Sequence, residues 1–258
     1  MENTEKVRRD GNKPIRIATF NIQHCLDYTR RPATGAEAID VLKFADVIRS
    51  MRLDFCGLNE VYDGVFSKAL RQPQRLAKGA ELRWSLFARA IRLPDMWYGN
   101  ALLSACPVVR HSAKKIALLP EERAEEGYYE QRVLLCADLL VGERELTVLV
   151  CHIGLTPPEQ EKAVRLICQA IDNATHPVVL MGDFNFTPDS PYYGVLASRL
   201  TDTASLLPPD ELLSFPSDRP EVKIDYIFVG KGVHAVSAHI PPVVCSDHRP
   251  YVAEITFD

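Results

Sequence analysis

The sequence predicts a single α/β domain, and three observations carry that prediction. Short apolar runs of strand length end in polar or charged residues, as in Val178 to Asn185, Leu53 to Glu60 and Leu146 to His152. Between them lie stretches with apolar residues at helical spacing, at 39–51 and 159–172. The 258 residues are 47% hydrophobic, 25% charged and 8% aromatic, which supplies a sizeable core and excludes a disordered or collagen-like chain.

The stretch 178–185 organises the rest. An apolar run bounded by Pro177 and Gly182 suits a central strand covered on both faces, and Gly182 allows a sharp turn where the sheet ends. Asp183 and Asn185 then stand at the C-terminal edge of a strand, where α/β folds build their sites. An Asx turn, with both side chains bonded to local backbone, is the plainer reading of the same two residues.

In chain order, residues 1–13 read as a mobile polar tail and 14–258 as one domain. Ile15 to Ile22 alternates as a strand and ends in Asn21, Gln23 and His24. Residues 27–36 read as a loop, and Ile39 to Met51 as an amphipathic helix. Between Tyr62 and Pro94 lies a basic, helix-prone region with Lys68, Arg71, Arg75, Lys78, Arg83, Arg89 and Arg92, the pattern of a solvated helix face. A turn into a strand follows at Tyr98 to Ser104, then an acidic loop or lid at 121–130. Arg132 to Leu140 and Leu146 to His152 read as a strand pair, and 159–172 as a helix with Glu159 and Glu161 in its first turn. Beyond Asn185 a Pro-rich loop region leads to a strand at Val222 to Val229 and a last pair around Val243 to His248 and Tyr251 to Ile255.

The net charge of −4 argues against a strong electrostatic binder of nucleic acid. It hides an asymmetry: residues 1–120 hold 20 Lys/Arg against 12 Asp/Glu, and residues 121–258 hold 10 against 22. An acid-rich C-terminal half suits a cation site as well as scattered surface charge. The seven cysteines form an odd set without CxxC spacing and read as buried thiols of a reducing cytosol. With no apolar N-terminal leader and no run of transmembrane length, the expected location is cytoplasmic. No pattern speaks to an oligomeric state.

Polar residues recur at strand ends: Asn21, Glu60, Asn100, His152, Asp183, Asn185, Asp225, Asp247 and His248. One such Asp is ordinarily a cap, and one such His a structural group. Together they point to a shared crevice, because the strand ends of an α/β sheet converge. Glu60 and Asp247 are oxygen donors and Asn21 adds a neutral one, a set that suits Mg²⁺ or Mn²⁺ and not zinc. Asp183 can orient or deprotonate a water, Asn185 can hold that water or a phosphate, His152 can contact a non-bridging oxygen, and Asp225 can fix the tautomer of His248.

The segments Thr19-Phe20-Asn21-Ile22, Asn59-Glu60, Gly99 to Ser104, Cys151 to Leu155, Gly182-Asp183-Phe184-Asn185, Ile224 to Phe228 and Ser246-Asp247-His248 resemble, in order, the motif set of the endonuclease/exonuclease/phosphatase superfamily. The resemblance spans residues 19–248 and implies the DNase I-like fold, a four-layer α/β/β/α sandwich of two packed mixed sheets flanked by helices. It also implies divalent-cation-dependent cleavage of a phosphoester. By this analogy Asn21 and Glu60 lie on the metal side with Asp247 as a further ligand. Asp183, Asn185 and His152 bind phosphate and activate water, and Asp225 and His248 form an Asp/His pair. Asn100 matches a position near the phosphate, and Arg132 is a further substrate-binding candidate from its place before a strand.

Two departures narrow the branch. Asn59 stands where members often have Gln. His152 resembles the DNase I, sphingomyelinase, deadenylase and inositol-phosphatase branches, whereas abasic-site endonucleases carry a tyrosine near this position. Gln23, where those repair enzymes have an acid, points the same way. The expected function is therefore phosphodiesterase or phosphatase action on a small or lipid-derived phosphoester. A nuclease on DNA or RNA is the less favoured reading, because the total charge is acidic and no dense basic patch interleaved with aromatics is visible in the sequence. A non-catalytic binding module would show degraded site residues, and the expected ones are present. Substrate choice is expected to reside in the 27–36, 62–97, 121–131 and 186–221 loops.

Overall fold

The computed structural model describes residues 13–30, 38–64, 71–123, 129–208 and 211–258. Apart from Lys13, the expected N-terminal tail lies outside the described residues, as do parts of the 27–36, 62–97, 121–131 and 186–221 loops. One six-stranded sheet runs in the order β11 (Val233–His239), β12 (Tyr251–Phe257), β1 (Ile15–Asn21), β2 (Phe55–Gly64), β4 (Met96–Ser104), β3 (Trp84–Arg92). The second runs β5 (Val108–Ile116), β6 (Arg132–Val141), β7 (Arg144–Cys151), β8 (Val178–Asp183), β10 (Asp225–Val229), β9 (Thr201–Asp202). Helices α1 (Val41–Ser50) and α2 (Gln72–Gly79) cover the first sheet, and α3 (Pro157–Asp172) and α4 (Pro191–Ala197) cover the second.

Three apolar layers account for this arrangement. Ile17, Phe55, Leu102, Val148, Val150, Met181, Ile227 and Tyr251 fill the space between the sheets. Phe20, Leu58 and Leu103 pack on Phe44, Ile48 and Leu76 of α1 and α2. Leu149, Leu180 and Phe228 pack on Ile167 and Leu196 of α3 and α4. Each central strand therefore divides its residues between two cores, as Val179 and Met181 face one way and Val178 and Leu180 the other. The four-layer α/β/β/α sandwich is the architecture expected.

Caps close the helices where the sequence places polar residues. Asp40 accepts the backbone N–H of Lys43 at 3.0 Å, and Glu159 accepts the N–H of Thr156 at 3.0 Å at the start of α3. β1 runs parallel to β2, and β7 parallel to β8, while β10 and β12 begin where β8 and β1 end. Strand ends and strand starts thus meet at one rim of the sandwich.

Three expectations are corrected. Among the described residues of the basic region before Pro94 the helix is α2; Trp84–Arg92 is a strand, because Leu86, Ala88 and Ala90 alternate into the inter-sheet core while β4 supplies the backbone ladder. Val243 to His248 is a loop and not a strand; Pro241, Pro242 and Pro250 remove donors around it, and its carbonyls are taken by Tyr28 and Ser217. The strand beside β12 is instead β11. The 186–221 region also contains α4 and β9. No described helix is long and apolar enough to cross a membrane.

Gly182 has φ +149, and a Cβ there would lie 1.7 Å from the carbonyl oxygen of Cys151 on β7. Gly182→Ala must displace backbone and should lower stability by roughly 3 kcal/mol or more. Gly194→Ala in α4, where nothing lies within 4 Å, should be neutral or gain up to about 1 kcal/mol. Urea midpoints of the two variants check this.

Candidate active site

At the rim, side chains from both sheets converge on one buried carboxylate, Asp183. Its Oδ2 accepts Asn21 Nδ2 at 3.0 Å and lies 3.4 Å from His152 Nε2 and 3.5 Å from His248 Nε2. Its Oδ1 accepts the backbone N–H of Asn185 at 3.0 Å, and its own N–H donates to Asn59 Oδ1 at 2.9 Å. Asp183 ends β8 and is opposite Asp225, the first residue of β10, in the ladder. That register brings the two acids together although 42 positions separate them in the chain.

Asn21 sits between two acids, since its amide also donates to Glu60 Oε1 at 3.0 Å. Glu60 occupies a left-handed conformation, φ 56, at the bulge where β2 shifts register against β4. Strain of this kind at a non-glycine residue aims a side chain that a regular strand would turn elsewhere. Burial lifts the Glu60 carboxyl to about 7; the Asn21 bond opposes the rise and the charges of Asp247 and Asp183 add to it. Burial likewise lifts Asp183 to about 6, with His248 holding it down.

On the other flank, His248 Nδ1 bonds Asp225 Oδ2 at 2.8 Å, and the same oxygen accepts the Ser214 hydroxyl at 2.6 Å. Burial alone would discharge His248, but Asp225 and Asp183 outweigh it and raise the imidazole to about 10. The expected Asp225/His248 pair is thus formed, and His248 presents a charged Nε2–H toward Asp183. His152 is the opposite case: burial, then Arg132 and His248, hold it well below its ordinary value and keep it neutral. Arg132 has only donors and contacts His152 Nδ1 at 3.0 Å, so the proton of the neutral ring must be on Nε2. The Asn185 amide, 3.0 Å from that Nε2, then directs its N–H to Ile153 O at 2.9 Å.

The remaining expected residues divide. Asn100 is buried with its amide committed to Asn59 and to Val133 O, so it braces Asn59. Arg132 is buried against Glu130 and His152. Asp247 is half-buried near Glu60 and makes no hydrogen bond to Asn21. Ser214 and the aromatic group of His24, Tyr62 and Tyr98 were not anticipated. His24 stacks on Tyr62 at 4.4 Å, and Tyr62 meets Tyr98 at 5.9 Å. Three successive left-handed residues, Gln23 to Cys25, hold His24 there, and no sequence signal announces such a backbone.

A divalent cation fits the acid flank. Glu60 and Asp247 have no Lys or Arg ion pair among the described residues, and burial first, then the charges of Asp247 and Asp183, stress the Glu60 carboxyl; Asn21 gives Glu60 its Nδ2–H, while its Oδ1, the third oxygen of the set, accepts the Gln23 N–H at 3.1 Å. Ligand atoms of Asp183, Asp225 and His248 also lie within 4.8 Å of one another, but the 2.8 Å bond between Asp225 and His248 commits those two to each other. A second such group, Asp138, Glu145 and His176, lies at the other end of the sheet, with Asp138 already held by Arg110 and Thr147.

The family model described as Endonuclease/Exonuclease/phosphatase family matches residues 18–248. No curated protein matches the chain. An endonuclease/exonuclease/phosphatase structure from Beutenbergia cavernae is similar at a TM-score of 0.74 and 23% identity, covering 95% of this chain and 72% of that one. A mannosyl-6-phosphatase from Bacteroides thetaiotaomicron is similar at 0.72 and 16%, covering 94% and 100%. The human Nocturnin catalytic domain with bound sulfate is similar at 0.68 and 20%, covering 95% and 94%. At these identities the likeness is one of fold.

Because the Glu60 carboxyl rises from 4.5 to about 7 on folding, its contribution to stability is complete below pH 4.5 and is lost as pH rises through 7. In chelator, Glu60→Gln should therefore gain about 3 kcal/mol on the unmodified protein between pH 4.5 and 8. Mg²⁺ or Mn²⁺ should reverse the order, because a cation that binds only the folded state stabilises it. Urea unfolding at the two pH values reads both effects.

Proposed function

This chain belongs to the endonuclease/exonuclease/phosphatase family, and on that premise we propose that residues 14–258 act as one catalytic domain, a divalent-cation-dependent hydrolase of a small or lipid-derived phosphoester. The observation that carries this reading is the position of Asp183 Oδ2, between the Asn21–Glu60 flank and two imidazole Nε2 atoms.

Asp183 is ionised above about pH 6, so at neutral pH it can take a proton from an attacking water. His248, charged through neutral pH and fixed by Asp225, offers its Nε2–H to a phosphoryl oxygen whose negative charge grows in the transition state. His152 offers a neutral Nε2–H, and Asn185 closes the same side of the site. Arg132 acts through His152, Asn100 through Asn59, and Ser214 through Asp225, each as a positioning residue. Asn21, Glu60 and Asp247 would hold the Mg²⁺ or Mn²⁺, which when bound neutralises phosphoryl charge and stabilises the leaving oxygen. The seven cysteines form no disulfide among the described residues, which supports a reducing, cytoplasmic setting.

The test is hydrolysis with Mg²⁺ or Mn²⁺ and a chelator control over simple phosphomono- and diesters, mannose 6-phosphate, inositol phosphates, sphingomyelin, DNA and RNA. Chelator-sensitive turnover of small or lipid esters is expected. Cleavage confined to polynucleotide would replace this reading with a nuclease, and no turnover by folded, metal-binding protein would replace it with a binding module. Asp183→Ala should keep its fold, since it removes a stressed acid, and lose at least about 10²–10⁴-fold in rate. An active variant would overturn the role of Asp183.

A further inference from the structure

The ends of β2, β3 and β4 project beyond the site, pairing Tyr62 with Tyr98, Asp63 with Trp97 and Arg92 with Trp97. Successive strand residues leave opposite faces, so Tyr98 turns to the catalytic crevice, where Glu60 and Arg132 influence it, and Trp97 turns to the α2 side. On that outer face lies a cavity of about 550 Å³ lined by Arg71, Arg89, Arg92 and Trp97, with Asp63 and Asp95 at its wall.

The guanidinium carbons of Arg89 and Arg92 stand 5.3 and 5.1 Å from the Trp97 ring centroid. Stacking occupies the flat face of a guanidinium and leaves its N–H fork directed outward, preorganised for a planar or tetrahedral oxyanion. Arg71 reaches the cavity from a left-handed backbone, φ 48, immediately before α2. None of the three arginines makes an ion pair or side-chain hydrogen bond among the described residues. Three cations against two carboxylates leave the cavity positive in a chain whose net charge is −4.

We propose that the Arg71–Arg89–Arg92–Trp97 cavity is a phosphate-binding exosite, separate from the catalytic crevice, that takes a phosphoryl group through the two Trp97-stacked guanidinium forks. Anion binding here requires neither a metal nor turnover, so the claim stands or falls apart from the proposed hydrolysis. The phosphoryl group can belong to a small phosphate ester or to a polynucleotide backbone.

The chain has two tryptophans, so Trp84→Phe leaves Trp97 as the single indole fluorophore. In that background and in chelator, titration with inorganic pyrophosphate should change the Trp97 emission saturably. Arg89→Glu with Arg92→Glu should weaken the half-saturation at least tenfold, because each charge-assisted contact is typically worth about tenfold. Arg89→Lys with Arg92→Lys, which keeps charge but not the fork, should fall between. Both arginines are exposed, so melting temperatures of the variants should stay close to the parent. A parallel titration with the single strand (dT)₈ separates the sources: tighter binding with the same arginine dependence assigns the phosphate to a polynucleotide, and pyrophosphate binding alone assigns it to a small ester. No saturable change, or one that the glutamate variant leaves unaltered, overturns the exosite.

Discussion

Three asparagine amides from one sheet cross to the other at the rim, and the site depends on them. Asn21 of β1 reaches Asp183, Asn59 of β2 takes the backbone N–H of Asp183, and Asn100 of β4 braces Asn59 and donates to Val133 O of β6. All three are buried, at 1%, 0% and 2% exposure, so each amide must be bonded or cost roughly 1–3 kcal/mol. Below them the sheets meet mostly through apolar side chains, which tolerate small shifts, with the buried Thr203–Tyr251 hydroxyl pair and the Gly57 N–H on Met181 Sδ as polar contacts. The asparagines do not, and they set the distance between the sheets where a carboxylate must be held.

The clamp makes a polarised site possible. Glu60, Asp183 and Asp247 gather negative charge on one flank, while His248 and Arg132 gather positive charge on the other. In water such charges would be screened; in a buried rim, burial lifts Glu60 toward neutrality with Asp247 and Asp183 adding to it, while Asp225 and Asp183 hold His248 charged against burial. Left-handed backbone at Gln23, His24, Cys25, Glu60 and Asn185 marks the same rim. Local strain there is sustained by the packing of two sheets beneath it.

Legibility followed position in the sheets. The eight interior strands carry apolar runs that reveal them, because both neighbours and one or two cores demand it. The four strands that the apolar pattern does not reveal, β3, β5, β9 and β11, are the four edges. An edge strand needs backbone partners on one side only and can expose charge, as Arg110 to Lys115 does in β5. β3 misleads further, since Leu86, Ala88 and Ala90 are good helix formers that here alternate into the core. Val243 to Cys245 misleads in the other direction, an apolar run that packs a loop and so turns Asp247 and His248 to the rim.

The sequence by itself determined the fold class, the order of the interior strands along the chain and the identity of the polar residues at their ends, because burial of alternating or continuous apolar faces is a local demand written residue by residue. It also contained the asymmetry of charge between the two halves. What the tertiary structure decided is which polar ends bond one another: that Asn100 braces rather than contacts solvent, that Ser214 supports Asp225, that His24 stacks on Tyr62, and that arginines scattered over 71–92 meet at one tryptophan. Those relations depend on ladder register and on the separation of two sheets, and both arise only when distant segments pack.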